Sequence, residues 1–64
     1  MKKFKIYDLY EDADCIGYAD TWKEVRKIAR QQYEETDGEC MICYVKLDPV
    51  TQKYSHKKYR FILL

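Results

Sequence analysis

Between Thr21 and Gly38 the sequence carries one complete helix signature, and the rest of the chain must be arranged around it. Thr21-Trp22-Lys23-Glu24 has capping-box spacing: the threonine hydroxyl accepts from the amide three residues on, and Glu24 reaches back to the Thr21 amide. Trp22, Val25, Ile28, Ala29, Tyr33 and Thr36 then recur three or four residues apart, which at about 100° per residue lays them along one face. Gly38 supplies the left-handed position that ends such a helix. A helix with a single apolar side needs a second layer to bury it.

The flanking segments supply that layer. Lys2 to Tyr10 alternates as a strand does, with Phe4 and Ile6 on one face and Lys3, Lys5 and Tyr7 on the other. Glu11-Asp12-Ala13-Asp14 reads as a turn. Cys15 to Ala19 is a short second strand, in which Gly17 marks a bulge or a close backbone approach. Cys40 to Leu47 is apolar on both faces, as in a strand inside a sheet: Met41, Cys43, Val45 and Leu47 fall on one, Cys40, Ile42 and Tyr44 on the other. Asp48 to Lys53 is a hairpin turn with Pro49 at its first corner. Lys53 to Leu64 returns as the last strand, with Tyr59, Phe61 and Leu63 expected towards the helix and Tyr54, His56, Lys58 and Arg60 towards solvent.

The expected fold is α+β, with a single helix packed on one face of an antiparallel sheet of three to four strands, in the order β-β-α-β-β. Residues 1–64 form one small domain. At this length about 60% of the unfolded surface is buried, so stability should be modest. With 47% hydrophobic and 36% charged residues and a net charge of +1, the composition is too apolar for disorder.

The residue types exclude more chemistry than they suggest. No serine or cysteine nucleophile sits in an elbow and no pair of carboxylates brackets a pocket, so no catalytic residue is assigned and an enzyme is not expected. Cys40-x-x-Cys43 has the spacing of a zinc knuckle or a redox motif, yet inside a strand residues three apart point to opposite faces. Both are read as structural, and no metal or cofactor is assigned. His56, the only histidine, stands beside Lys57 and Lys58 as a surface residue. Cys15, Cys40 and Cys43 are an odd set without an export signal, and no stretch approaches the roughly 20 apolar residues of a membrane span. A cytoplasmic location with reduced thiols and no membrane partner is the expectation. In composition the chain resembles short Tyr- and Lys-rich proteins of bacteria and their phages, a likeness that covers no motif and assigns no residue.

Charge is segregated along the chain. Lys2, Lys3 and Lys5 open it, the run from Asp8 to Asp20 holds acids and no base, and Lys46 to Arg60 is basic. On the helix Lys23, Arg26, Lys27 and Arg30 take one flank of the apolar stripe, Glu24 and Glu35 the other. The outer sheet face is expected to stay wet and to gather Lys3, Lys5, Tyr7, Ile42, Tyr44, Lys46, Tyr54, His56, Lys58 and Arg60. Seven tyrosines exceed what a thin core needs, and Tyr and Arg are common interface anchors. This predicts a small non-enzymatic protein-interaction module whose expected binding face is Lys3, Lys5, Tyr7, Tyr44, Lys46, Tyr54, His56, Lys58 and Arg60. Its partner is a protein, with a homodimer through the same face as a special case. Two alternatives use the same chain: a single-stranded nucleic-acid binder, in which those aromatics stack bases, and an inhibitor that mimics a phosphate backbone through Asp12, Asp14 and Asp20. A near-neutral charge counts against the former.

Overall fold

Residues 1–63 are described by a computed structural model, in which β1 (Phe4–Asp8), β2 (Asp14–Ala19), α1 (Trp22–Glu35), β3 (Ile42–Lys46) and β4 (Arg60–Phe61) follow in sequence. Each strand pairs antiparallel with its neighbours in one sheet, ordered β2-β1-β3-β4. This is the expected α+β arrangement. Since β2 and β3 both run antiparallel to β1, they are parallel to each other and need a long crossover, which α1 provides. The helix lies across β2 and β1. The same side of β3 and β4 is left without a covering helix.

The Thr21 cap forms, with a variation. Thr21 Oγ1 accepts from the Glu24 amide at 3.2 Å, but its hydroxyl also donates to Glu24 Oε1 at 3.1 Å, so the glutamate answers the side chain rather than the Thr21 amide. Thr21→Ala removes both bonds and is expected to cost about 1 kcal/mol in thermal or urea unfolding, with Thr21→Ser close to wild type. At the other end Asp37 and Gly38 both have positive φ, at 54° and 82°. The Gly38 amide donates to the Tyr33 carbonyl at 2.9 Å, closing the last turn.

Ile6, Ala19, Val25, Ala29 and Ile42 form the core between helix and sheet. Both roles open to Gly17 are realised. Ile6 pairs with Gly17 and Tyr7 with Cys15, so Ile16 is the extra residue of a bulge. A Cβ on Gly17 would stand 3.2 Å from Ile28 Cδ1, which shows how closely the helix approaches β2 there.

The outer face is not wet, which corrects the sequence reading. Tyr7, Cys43 and Val45 are 7%, 0% and 1% exposed and make a second small core, with Leu9, Tyr54 and Tyr59 packed on it. The cover is the segment expected to be the last strand. Asp48 Oδ1 accepts from the Val50 and Thr51 amides at 2.8 and 3.3 Å, and Gln52 turns through φ 59°. After an isolated Leu47–Tyr54 bridge, the chain to Tyr59 crosses the back of β1 and β3 instead of extending the sheet. Only Arg60–Phe61 is strand, and Leu64 lies outside the described residues. The physical reason is that β3 buries apolar groups on both faces, so its back demands a cover. Tyr54 and Tyr59 are the available rings.

The register supplies a second correction. Phe4 pairs with Lys46 and Ile6 with Tyr44, so Ile42, Tyr44 and Lys46 lie on the helix side, while Cys43 and Val45 lie with Tyr7. Alternation divides β3 into two sets but carries no label saying which set meets the helix. The assignments in the last segment invert as well: Arg60, opposite Tyr44, is on the helix side, and Phe61, opposite Cys43, is on the back.

Candidate functional site

The nine residues expected to share one face separate into two places. On the back of the sheet Tyr7 Oη is 2.8 Å from His56 Nε2, and the Tyr7 ring meets His56 and Tyr59 edge-on at 5.7 and 5.6 Å between centroids. Lys5 Nζ stands 5.1, 5.7 and 5.8 Å from the ring centroids of Tyr7, Tyr18 and Tyr54, within cation–π range of all three. Tyr54 donates its hydroxyl to the Lys2 carbonyl at 2.7 Å, and burial raises its phenol above the ordinary value. Lys5, Tyr7, Tyr54 and His56 are thus partnered by the chain itself. The Lys3 amide donates to Asp20 Oδ1 at 3.2 Å, and Lys3 and Lys58 are exposed.

Tyr44, Lys46 and Arg60 lie on the opposite side, beside the helix. Helical spacing brings further residues to them. Trp22, Arg26 and Arg30 follow one another four apart, with Tyr33 three beyond Arg30, so they form a ridge on the flank of α1 that faces β3. Trp22 meets Tyr44 edge-on at 5.2 Å, Phe4 meets Tyr44 at 5.6 Å, and Phe4 meets Trp22 at 6.3 Å. Towards the helix C-terminus, Tyr33, Cys40, Ile42, Ile62 and Leu63 line a groove of about 160 Å³. The result is a trough between α1 and β3 with a floor at Ile42, Tyr44 and Ile62, a rim that carries Trp22 and Tyr33, and exposed cations at Arg26, Arg30, Lys46 and Arg60. Trp22 and Tyr33, at 46% and 49% exposed, are the residues sequence reasoning missed as site components. Both belong to the apolar stripe of the helix pattern, and the signal that sets them apart is the width of that stripe beside its basic flank.

The other chemically capable groups are committed internally. Asp8 is 8% exposed and accepts from the Tyr10 and Met41 amides at 3.0 and 3.1 Å and from Gln32 Nε2 at 2.9 Å. Burial pushes its pKa up, but the bonds from Gln32, Met41 and Tyr10 together outweigh that, and the carboxyl lies below its ordinary value. It stands at the back of an acidic cleft of about 410 Å³ whose rim includes Glu11, Asp12, Asp14 and Glu39. Cys40 packs on the helix-side core and Cys43 on the back, so their sulfurs are separated by the sheet. Burial, and after it the Asp8 charge, pushes the Cys43 thiol up to about 11, which keeps it protonated. Among the described residues no three His, Cys, Asp or Glu side chains are grouped to hold a metal ion, and no helix is long and apolar enough to cross a membrane. No protein family, no curated protein and no solved structure matches this chain.

Proposed function

We propose that this chain is a non-enzymatic, cytoplasmic protein-interaction module that docks an acidic, partly apolar segment of a partner protein in the trough beside α1. The observation that carries this reading is the half-covered sheet: the helix spans β2 and β1, and Trp22 and Tyr33 stand exposed, with the half-buried Tyr44 against Trp22, beside four exposed cations. A large aromatic surface flanked by Arg has the composition of an interface centre. The partner's acidity follows from the sign of Arg26, Arg30, Lys46 and Arg60. Three free cysteines fit a reducing compartment. The absence of a catalytic role is supported by the internal bonding of Asp8, the high pKa of Cys43 and the Tyr7 contact of His56.

A nucleic-acid reading is less well supported by the same trough. Stacking needs free ring faces, whereas Trp22 and Tyr44 are packed edge to face with each other and with Phe4.

The test is partner capture on the immobilised chain, followed by amide-shift mapping with the captured protein. Trp22→Ala combined with Arg26→Glu is expected to weaken capture at least tenfold, about 1.4 kcal/mol, while Lys58→Ala on the other side leaves it unchanged. Shifts confined to the Tyr54–Tyr59 side would refute the trough. So would a single-stranded oligonucleotide that moves the trough amides at physiological salt when no protein does.

A further inference from the structure

We propose that the outer edge of β4 is a pairing surface for a second copy of this chain. The inference begins with the direction of backbone groups. The Ile62 amide donates to the Ile42 carbonyl at 3.0 Å, and Phe61 and Arg60 stand opposite Cys43 and Tyr44. In an antiparallel ladder the backbone groups of successive residues point alternately towards and away from the neighbouring strand. Ile62 therefore faces β3, and the amide and carbonyl of Phe61 face outward, as do those of Leu63 where the alternation continues.

This edge is guarded only by its shortness and by Arg60: proteins also protect edges with proline, bulges or a covering element, and none of those lies on β4 among the described residues. The opposite edge, β2, has such protection: a bulge at Ile16, Asp14 at one end and Asp20 just past the other. From the last residue of β4 onward, Phe61-Ile62-Leu63 is an uncharged apolar run, with Phe61 59% and Leu63 93% exposed.

The run is complementary to itself about a two-fold axis through Ile62. Antiparallel pairing sets Phe61 opposite Leu63 of the second copy and the reverse, so both outward-facing residues of each chain gain backbone partners. The two Ile62 side chains meet at the axis on the helix side, where Ile62 is half-buried against the core. The two Arg60 cations fall at opposite ends of the paired segment, which keeps like charges apart. A partner strand of other composition has no such match here, and two β2 edges would bring Asp14 of each copy near Asp20 of the other. Three residue pairs bury less than a standard interface, so the dimer is a weak one that forms with rising concentration. The pairing does not rest on the trough proposal, although it would set two trough floors side by side.

Sedimentation equilibrium of the full chain from micromolar to millimolar concentration tests the pairing. The mass of the wild type should rise towards twice that of the monomer. Phe61→Lys with Leu63→Lys, which places lysines opposite each other at exposed positions, should hold it at the monomer mass with an unchanged amide spectrum elsewhere. In a Cys15→Ser/Cys40→Ser background, which removes the other accessible thiols, Ile62→Cys should give a crosslinked dimer on mild oxidation, through 62 of both copies. A wild type that stays monomeric at millimolar concentration would overturn the proposal. So would a dimer that survives both lysines, or one abolished by Trp22→Ala with Arg26→Glu, which would place the contact in the trough instead. Loss of partner capture without loss of self-association, or the converse, tells the two proposals apart.

Discussion

Tyr7→Ala is expected to destabilise the chain by about 3–5 kcal/mol, the range for emptying an aromatic site in a core, and to release the segment that covers the back of the sheet. Tyr7 is buried, carries the His56 contact, and meets both the His56 and Tyr59 rings. At the usual 0.05–0.15 kcal/mol per residue, a 64-residue chain has little stability beyond that loss. Tyr7→Phe keeps the ring and removes only the hydroxyl, so its cost should be about 0.5–1.5 kcal/mol. Urea unfolding gives the two numbers. Hydrogen exchange gives the mechanism: the Ser55 amide, which donates to the Lys46 carbonyl at 3.0 Å, should lose protection in the alanine variant and keep it in the phenylalanine variant. If alanine costs under about 1 kcal/mol, or Ser55 stays protected, the back core does not hold that segment.

The second large effect belongs to Asp8. Its carboxylate joins the end of β1 to α1 through Gln32 and to the entry of β3 through the Met41 amide. Hydrogen bonds to a charged group contribute about 1.5–3 kcal/mol each. An asparagine keeps only one acceptor oxygen and turns an amide towards donors, so Asp8→Asn should cost at least 2 kcal/mol, on the order of one such bond, at neutral pH. Acid adds a separate signature. The folded carboxyl titrates below the ordinary 3.8, so its contribution is fully present above that value and is lost as pH falls through the lower, folded pKa. Between about pH 5 and 2 the wild type should lose stability more steeply than Asp8→Asn. Parallel acid profiles would mean that the carboxylate is not held as its geometry indicates.

The helix was legible from local chemistry. Thr21, Glu24 and Gly38 mark its ends whatever the rest of the chain does, and Val25 and Ala29 are its fully buried positions. The β-β-α-β-β order followed from alternation and turn composition, and the opposite-face placement of Cys40 and Cys43 from strand geometry. The binding face was misread because it required more than local information. Placing Tyr44, Lys46 and Arg60 with Lys5 and Tyr7 assumed a register and assumed that Lys53 to Leu64 was one strand. Both faces of β3 are apolar, so neither assumption could be checked by pattern.

Taken by itself, the sequence determined the things that depend on neighbours a few residues away: where the helix starts and stops, which residues alternate, and how many layers the chain can build. Only the tertiary structure decided which side of β3 meets the helix, that the segment from Tyr54 to Tyr59 closes over the back, and that Trp22 and Tyr33 stand exposed beside the half-buried Tyr44. A strand pattern of period two is unchanged in appearance when its faces are exchanged. Pairing to β1 at Ile6–Tyr44 and the need to bury Tyr7, Cys43 and Val45 lift that degeneracy.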